Sequence, residues 1–280
     1  MSNPAEQVSS GSPLGRSTAS PTRYAPDVLF GIPRAEGRAS LGLTDPLPFA
    51  GVDLWNAYEL SWLDDNGTPV VATAELWVPA TSPCIVESKS LKLYLSSLND
   101  TRHASADAFG RVIAEDVGRV VGSEVDVRIA FAPTGSVDPL PVPDGLCIDD
   151  ERAPAGAGEV DANLLDGSTD AAREVHETLY SNLLRSQCPV TGQPDWGTLI
   201  VRYRGPRIDR GALLRYIVSY RNHGEFHEQC VERCFRDIAE HCRPAELTVH
   251  ARYTRRGGVD INPFRSNFES LSDNRRAWRQ

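Results

Sequence analysis

One short turn between two strand-forming segments limits the folds that this chain can adopt. Asp-Asp-Asn-Gly-Thr occupies residues 64–68, and the flanking segments 54–63 and 69–78 are rich in aromatic and β-branched residues. Asn-Gly in this setting is a strong β-hairpin signal, because both residues tolerate the positive φ that a tight hairpin turn requires. The sequence therefore predicts an antiparallel sheet in this part of the chain.

The other hydrophobic patterns predict helices as well as strands. Antiparallel strands with helices packed on one face are typical of an α+β fold, and the pattern recurs in outline in the second half of the chain. We therefore predict two α+β units. The predicted helices are 104–121, 169–185, 208–220 and 225–241, with a break at Asn222–Gly224, and the predicted strands or extended pieces are 85–95, 124–132, 196–204, 246–255 and 258–264.

Composition divides the chain into four parts. Residues 1–40 are rich in Ser, Pro, Gly and Ala, which predicts a mobile tail. Residues 151–165 begin with a stretch rich in Ala and Gly, which is typical of a linker. The predicted N-terminal module covers 41–150, and the predicted C-terminal module covers 166–280.

The net charge argues against two classes of partner. It is −9, with a pI of about 5.2, which disfavours non-specific binding to nucleic acid or to an anionic membrane. No apolar run approaches the roughly 18 residues of a membrane span, and the first residues lack the features of a secretory signal. We expect a cytoplasmic protein with a small-molecule substrate and with its six cysteines as free thiols.

Lysine usage draws attention to one segment. All but two of the 29 basic residues are arginine, and the two lysines, Lys89 and Lys92, lie in Glu-Ser-Lys-Ser-Leu-Lys-Leu-Tyr (87–94). Lysine is a slim point charge where arginine is a flat fork, so this segment could require a compact cation. A codon-biased genome with two solvated lysines is the alternative. In the predicted extended segment, Lys92 would face away from Lys89.

A cysteine stands in a stiff loop at 187–195, Gln-Cys-Pro-Val-Thr-Gly-Gln-Pro-Asp. The loop follows a predicted helix, and both a helix C-terminus and a nearby carboxylate disfavour a thiolate. Cys188 is therefore interpreted as a thiol paired with a proton carrier, Asp195, rather than one activated by positive surroundings. The alternative is a small buried cysteine near a turn whose aspartate caps backbone N–H groups.

Glu225-Phe-His-Glu228 opens a predicted helix. Glu225 is interpreted as an ordinary acidic residue of a first helical turn. His227 and Glu228 can border one pocket, where a carboxylate can accept two parallel N–H bonds from a guanine-like or pterin-like edge. A zinc site is the alternative, because His227, Cys230 and Cys234 share a helical face, but both cysteines also suit a core and we expect no metal.

Two places could bind a phosphate group, although the sequence contains neither a Walker loop nor a complete dinucleotide fingerprint. One is the pair Lys89 and Ser90. The other is Arg255-Arg256-Gly257-Gly258, which follows a predicted strand and whose glycines allow close backbone approach. The alternative for the arginines is a solvated strand end.

Together these motifs resemble the NADPH-dependent 7-cyano-7-deazaguanine reductases, the nitrile reductases of queuosine biosynthesis. The matching motifs are residues 87–94, 188–195 and 225–228, in an order and chain length similar to the long, two-module form. The resemblance implies two tandem tunnelling-type folds, each an antiparallel sheet with helices on one face, related to the GTP cyclohydrolase I fold. It also implies a homodimer and reduction of a nitrile to a primary amine with two NADPH per turnover.

The resemblance implies a role for each candidate residue. Cys188 would be the nucleophile, Asp195 the proton donor, and His227 a catalytic residue that also contacts the substrate. Glu228 would bind the N–H edge of the deazaguanine. Further substrate contacts would be Glu87, Ser88 and Lys89, and the NADPH contacts would be Lys89, Ser90, Arg256 and Gly257.

Two other functions remain open at this point. One is a thioimidate-forming amidinotransferase or a hydrolase on the same fold, which would turn substrate over without oxidising NADPH. The other is a non-catalytic module that binds a purine or a pterin, in which Asp195 would have no chemical role.

Overall fold

A computed structural model describes residues 21–131, 142–152 and 159–280. The predicted tail at 1–20 and part of the predicted linker therefore lie outside the described residues. The chain forms two compact units that alternate along the sequence: unit 1 comprises Met1–Gly37, Asp53–Pro139 and Arg255–Ile261, and unit 2 comprises Arg38–Val52, Leu140–Thr254 and Asn262–Gln280.

The described residues form strands and helices in the mixture expected for an α+β fold. The strands are β1 (Gly31–Pro33), β2 (Ala50–Leu63), β3 (Pro69–Pro79), β4 (Cys84–Val86), β5 (Asp126–Ala130), β6 (Leu146–Cys147), β7 (Thr169–Gln187), β8 (Pro194–Ile208), β9 (Glu246–Tyr253) and β10 (Val259–Ser266). The α-helices are α1 (Arg34–Ser40), α2 (Ser88–Ser97), α3 (Ala106–Val121), α4 (Arg210–Ser219) and α5 (His227–Cys242). Short 3-10 helices occupy Pro26–Val28, Ala162–Leu165 and Tyr220–Asn222.

Unit 1 contains the predicted hairpin. The strand order there is β5, β3, β2, and β3 pairs antiparallel with β5. In the turn, the Asp64 carboxylate accepts hydrogen bonds from the backbone N–H of Asn66 and Thr68 at 2.9 and 2.8 Å, and Gly67 has a φ of 83°. The hairpin prediction is confirmed, because its turn uses the side-chain acceptor and the positive φ that the sequence offered.

Helix α2 corrects the prediction of an extended segment at 85–95. The Glu87 carboxylate caps the helix, accepting from the backbone N–H of Lys89 at 2.6 Å and of Ser90 at 2.9 Å. Leu91, Tyr94 and Leu95 are buried one helical turn apart in the core of the unit. This i, i+3, i+4 spacing is a helical pattern, so the segment forms a helix and is not extended.

Residues between 21 and 40 also differ from the expected tail. They include β1, which pairs with β4, and α1. Leu29 and Ile32 are 8% exposed, and the guanidinium of buried Arg34 lies 2.5 Å from the carboxylate of Asp53. A segment that looks polar in composition is thus held to unit 1 by two apolar anchors and one buried ion pair.

In unit 2 the strand order is β10, β9, β8, β7, β6, all antiparallel except β6 with β7. The sequence predicted a helix at 169–185, and this prediction is wrong, because β7 runs along β8 with Leu179 opposite Val201. Residues with ordinary helix propensity lie here in a ladder whose partner is distant from most of them in sequence, and that pairing overrides local preference.

Helices α4 and α5 supply the other half of the unit 2 core. The predicted helices at 208–220 and 225–241 and the break between them are confirmed. Buried side chains from α4 and α5 join those from β7, β8 and β9 in one apolar cluster, which includes Leu213, Ile217, Val231, Phe235, Leu199 and Val249. Among the described residues, no helix has both the length and the apolar composition needed to cross a membrane.

Candidate functional site

Cys188 lies in the turn between β7 and β8, the longest strand pairing of unit 2. Its backbone N–H donates to the carbonyl of Gln193, and its own carbonyl accepts from the N–H of Gly192, both at 2.9 Å. The thiol is half-buried and free. Because a strand and not a helix precedes Cys188, the helix C-terminus that the sequence interpretation placed next to it does not exist.

Asp195 is the second residue of β8, the strand that follows the Cys188 turn. It lies opposite Ser186 in the ladder and is 5% exposed. Its Oδ2 atom is 3.3 Å from Nε2 of His227. The structure thus joins Asp195 and His227, two residues that the sequence placed in different motifs.

A short backbone pairing brings the His227 segment to the end of β7. The N–H of Gln187 donates to the carbonyl of His223 at 2.8 Å, and the N–H of Glu225 donates to the carbonyl of Gln187 at 3.2 Å. Helix α5 begins two residues later, at His227. Gln187 therefore joins the residue before Cys188 to the segment that leads into α5.

Glu225 differs from the role expected of it. It precedes α5 and is 8% exposed. Its carboxylate accepts two hydrogen bonds from Arg233, and its Oε2 atom lies 3.1 Å from Nε2 of His223. Burial alone would raise the pKa of Glu225, but the hydrogen bonds from His223 and Arg233 and the charge of Arg233 lower it below its usual value. Glu225 is thus a buried anchor of this segment and not a residue of the first helical turn.

His227 lies flat on a neighbouring aromatic ring. Its ring centroid is 3.8 Å from that of Tyr253, with 14° between the ring planes. Its Nδ1 atom is buried and has no hydrogen-bond partner among the residues that the structure describes. Next to it, Glu228 is 3% exposed in the first turn of α5, where the helix dipole favours a carboxylate.

Cys230 and Cys234 belong to the core. Each is 1% exposed and packs in the same apolar cluster as Val231 and Phe235. Burial raises the pKa of Cys230 well above its usual range and that of Cys234 to about 12. Within the described residues no group of three or more His, Cys, Asp or Glu side chains could hold a metal ion.

The remaining candidates lie in unit 1, at the start of α2. Glu87 is 1% exposed and engaged in the helix cap, whereas Ser88 and Lys89 are half-buried. The hydroxyl of Ser90 is fully buried, accepting from the N–H of Phe30 at 3.0 Å and donating to the carbonyl of Glu87 at 2.7 Å. Of this group, Ser88 and Lys89 are the most accessible to a ligand.

Lys92 is the residue that sequence reasoning missed. Lys89 and Lys92 lie three residues apart in a helix, so they share a face, which corrects the expectation that they point apart. A Cβ built on Gly257 would lie 3.4 Å from Nζ of Lys92, so this ammonium is next to the predicted phosphate-binding turn. The sequence did contain a signal for this, because the apolar residues at 91, 94 and 95 have helical spacing.

The turn at Arg256 and Gly257 is closed by one short backbone pairing. The N–H of Arg256 donates to the carbonyl of Val259 at 2.9 Å, and Gly257 and Gly258 have φ values of 57° and 82°, which favour glycine. The Lys92 side chain lies against Gly257, and a Cβ on Gly258 would lie 2.6 Å from Oε2 of Glu59. A cation and a carboxylate therefore both lie against this turn within unit 1.

Comparison with known proteins gives matches to both parts of the chain. Residues 20–129 match a family described as "Nitrile reductase, 7-cyano-7-deazaguanine-reductase N-term", and residues 194–271 match one described as "QueF-like protein". A protein of Desulfotalea psychrophila is 50% identical over 277 residues, covering 98% of this chain and 99% of the relative. One of Burkholderia multivorans is 51% identical over 270 residues, covering 96% and 98%. Both relatives carry the name "NADPH-dependent 7-cyano-7-deazaguanine reductase".

Proposed function

The chain belongs to the family of NADPH-dependent 7-cyano-7-deazaguanine reductases, and we propose that the turn carrying Cys188 is where it performs that reaction. The enzyme reduces the nitrile of 7-cyano-7-deazaguanine to an aminomethyl group with NADPH, a step of queuosine biosynthesis. The observation that carries the assignment of the site is the placement of Asp195 and His227 beside the end of β7, which leads directly into the free thiol of Cys188.

The chemistry begins with the thiol. A nitrile carbon is a poor hydride acceptor, and attack by sulfur divides one difficult step into easier ones. The Cys188 sulfur forms a bond to the nitrile carbon as its S–H bond breaks, and Asp195 takes that proton and passes it to the nitrile nitrogen, which gives a covalent thioimidate. After reduction at that carbon, the carbon–sulfur bond breaks, Cys188 leaves as the thiolate, and an imine remains to be reduced to the amine.

His227 and Glu228 orient the substrate in this proposal. Glu228 accepts the N–H groups of the deazaguanine edge, in the paired geometry that a carboxylate offers. Nε2 of His227 stays with Asp195, and this contact holds the orientation of the imidazole beside the proposed substrate site. Glu87, Ser88 and Lys89 remain proposed substrate contacts.

NADPH supplies the hydride in both reductions. The groups of unit 1 proposed to bind its phosphates are Lys89, Lys92 and the turn at Arg256 and Gly257, since Lys92 brings positive charge to a turn of two glycines. Binding there requires the Glu59 carboxylate, which lies against Gly258, to move aside. Of the proposed contacts Ser90 fits least, because its hydroxyl is fully buried and already bonded on both sides.

Three broader features complete the proposal. Each unit has antiparallel strands and helices that share one apolar core, which supports two tandem tunnelling folds related to that of GTP cyclohydrolase I. We further propose that the chain acts as a homodimer, which light scattering of the purified protein tests. The proposed compartment is the cytoplasm, where reducing conditions keep Cys188 available.

Stoichiometry tests the function itself. Nitrile to amine is a four-electron reduction and each hydride carries two electrons, so two moles of NADPH are expected to disappear per mole of amine formed. The loss of NADPH absorbance and chromatographic quantitation of the amine measure this ratio. Substrate turnover without NADPH loss would instead identify an amidinotransferase or a hydrolase, and binding without turnover would identify a non-catalytic module.

The choice of lysine at position 89 is a separate prediction. Lys89→Arg keeps the charge but replaces a compact ammonium by a wider planar group, so the KM for NADPH is expected to rise several-fold. Steady-state kinetics at varied NADPH measures the effect, and Arg111→Lys, at an exposed position of α3, is the matched control. Unchanged kinetics for Lys89→Arg would mean that the lysines reflect codon usage alone.

A further inference from the structure

Tyr253 lies under the imidazole of His227 and has no role in the chemistry described above. We infer that Tyr253 is a positioning residue whose ring sets the height and plane of the His227 imidazole, so that Nε2 meets Asp195, and that Gly197 makes the space this ring occupies. The inference rests on the proposed roles of Cys188, Asp195 and His227.

Two contacts define where the imidazole lies. The stack on Tyr253, with 3.8 Å between centroids and 14° between planes, fixes the plane of the ring. The approach of Nε2 to Oδ2 of Asp195 at 3.3 Å fixes the rotation within that plane. This distance is at the upper limit for an N–H···O hydrogen bond, so a shift of a few tenths of an ångström is enough to break the contact.

Gly197 explains how a tyrosine ring can lie so close to β8. Gly197 is the residue opposite Tyr253 in the β8–β9 ladder, and it stands two residues after Asp195 on the same strand. A Cβ at this position would lie 3.2 Å from Cδ1 of Tyr253 and 3.1 Å from the carbonyl oxygen of Arg252. Any side chain at 197 therefore requires the tyrosine ring or the Arg252 carbonyl to shift by a few tenths of an ångström.

The ring of Tyr253, and not its hydroxyl, carries this role. The side chain is fully buried, and its hydroxyl has no hydrogen-bond partner among the described residues. Burial raises the pKa of Tyr253 well above its usual range, so the ring stays neutral. The backbone on either side is fixed, since the carbonyl of Tyr253 accepts from Nε2 of Gln280 at 3.0 Å and the N–H of Thr254 donates to Trp196 at 2.8 Å.

Removing the ring should therefore act through His227 alone. In Tyr253→Leu, kcat and the rate of covalent adduct formation are expected to fall about 10- to 100-fold, the scale of a misplacement by up to an ångström, with the KM for NADPH unchanged. Tyr253→Phe keeps the ring and should stay close to wild type. Gly197→Ala, which displaces the ring, should lower kcat in the same direction as Tyr253→Leu.

A double-mutant cycle separates positioning from a general structural role. If Tyr253 acts by placing His227, then Tyr253→Leu has almost no further effect on kcat in a His227→Ala background, so the two losses are not additive. The control is Tyr203→Leu, which removes a different fully buried ring, one that lies on β8. Its effect on kcat should be equal in the wild-type and His227→Ala backgrounds. Single-turnover adduct formation, followed by intact-protein mass spectrometry, keeps slow variants measurable.

Three results would overturn the inference. They are a near-normal kcat for Tyr253→Leu, losses that add fully to those of His227→Ala, and a Tyr253→Phe variant as impaired as Tyr253→Leu. Each is distinguishable from failure of the proposed function, which would show as adduct formation or NADPH oxidation in Cys188→Ala. Thermal unfolding of every variant identifies any that is unfolded at the assay temperature. If Tyr253→Leu is unfolded, Gly197→Ala remains as a second way to displace the Tyr253 ring.

Discussion

Replacing Cys188 by alanine is expected to abolish both the covalent attachment of substrate and all nitrile-dependent oxidation of NADPH. The variant has no atom that can form the thioimidate, and no other free thiol lies in the turn between β7 and β8. Losing a nucleophile costs at least about 10⁴-fold in rate where the covalent path is the only effective one. Intact-protein mass spectrometry after incubation with substrate, together with NADPH absorbance, measures both losses.

Cys147→Ala is the matched control for this experiment. Cys147 is another half-buried free thiol of unit 2, so its loss tests whether removing a thiol is harmful in general. Its adduct mass and turnover are expected to match those of the wild type. Normal turnover in Cys188→Ala would remove the thioimidate from the mechanism and, with it, the assignment of the site.

Asp195→Asn is expected to have the second largest effect, a fall of about 10²- to 10⁴-fold in the rate of adduct formation, the range usual for a lost general acid. Asparagine has nearly the same shape and still offers an oxygen to Nε2 of His227, but it has no acidic proton to give to the nitrile nitrogen. Binding of the substrate should therefore survive. Chemically quenched single-turnover reactions measure the rate of adduct formation, and equilibrium titration measures the affinity for the substrate.

The control for the acid is Asp166→Asn. Asp166 is an exposed carboxylate of the same unit, 2.6 Å from Nδ1 of His241, so it has the same type of partner as Asp195. Adduct formation in this variant should be unchanged. Unimpaired chemistry in Asp195→Asn would assign Asp195 to a structural role beside His227.

Features with local signals were predictable from the sequence. The Asn-Gly turn and its flanking segments gave the β2–β3 hairpin. Helix α3 begins at a Ser105 cap and ends at Gly122 with a φ of 73°, and both residues are standard boundary signals. The roles of the four residues at the centre of the proposed chemistry are predictions from the family resemblance, and of these four the structure places Asp195 and His227 3.3 Å apart.

Features that depend on pairing with another strand were not predictable in the same way. Strand β7 was assigned to a helix because its residues have no strong strand preference, and only its pairing with β8 decides the outcome. Tyr253 was missed for the same reason, since its position under His227 follows from the β8–β9 register and from the space at Gly197. Lys92 was missed because one wrong secondary-structure prediction moved it to the wrong face.

The short connection between β7 and β8 also bears on how the protein folds. Only residues 188–193 separate two strands of 19 and 15 residues, so closing this loop costs little conformational entropy, and pairing can spread outward from it. The loop that carries Cys188 is therefore also a favourable starting point for the assembly of unit 2. Lengthening it by a few flexible residues should slow refolding as well as turnover, which links the kinetics of folding to the same six positions that hold the proposed nucleophile.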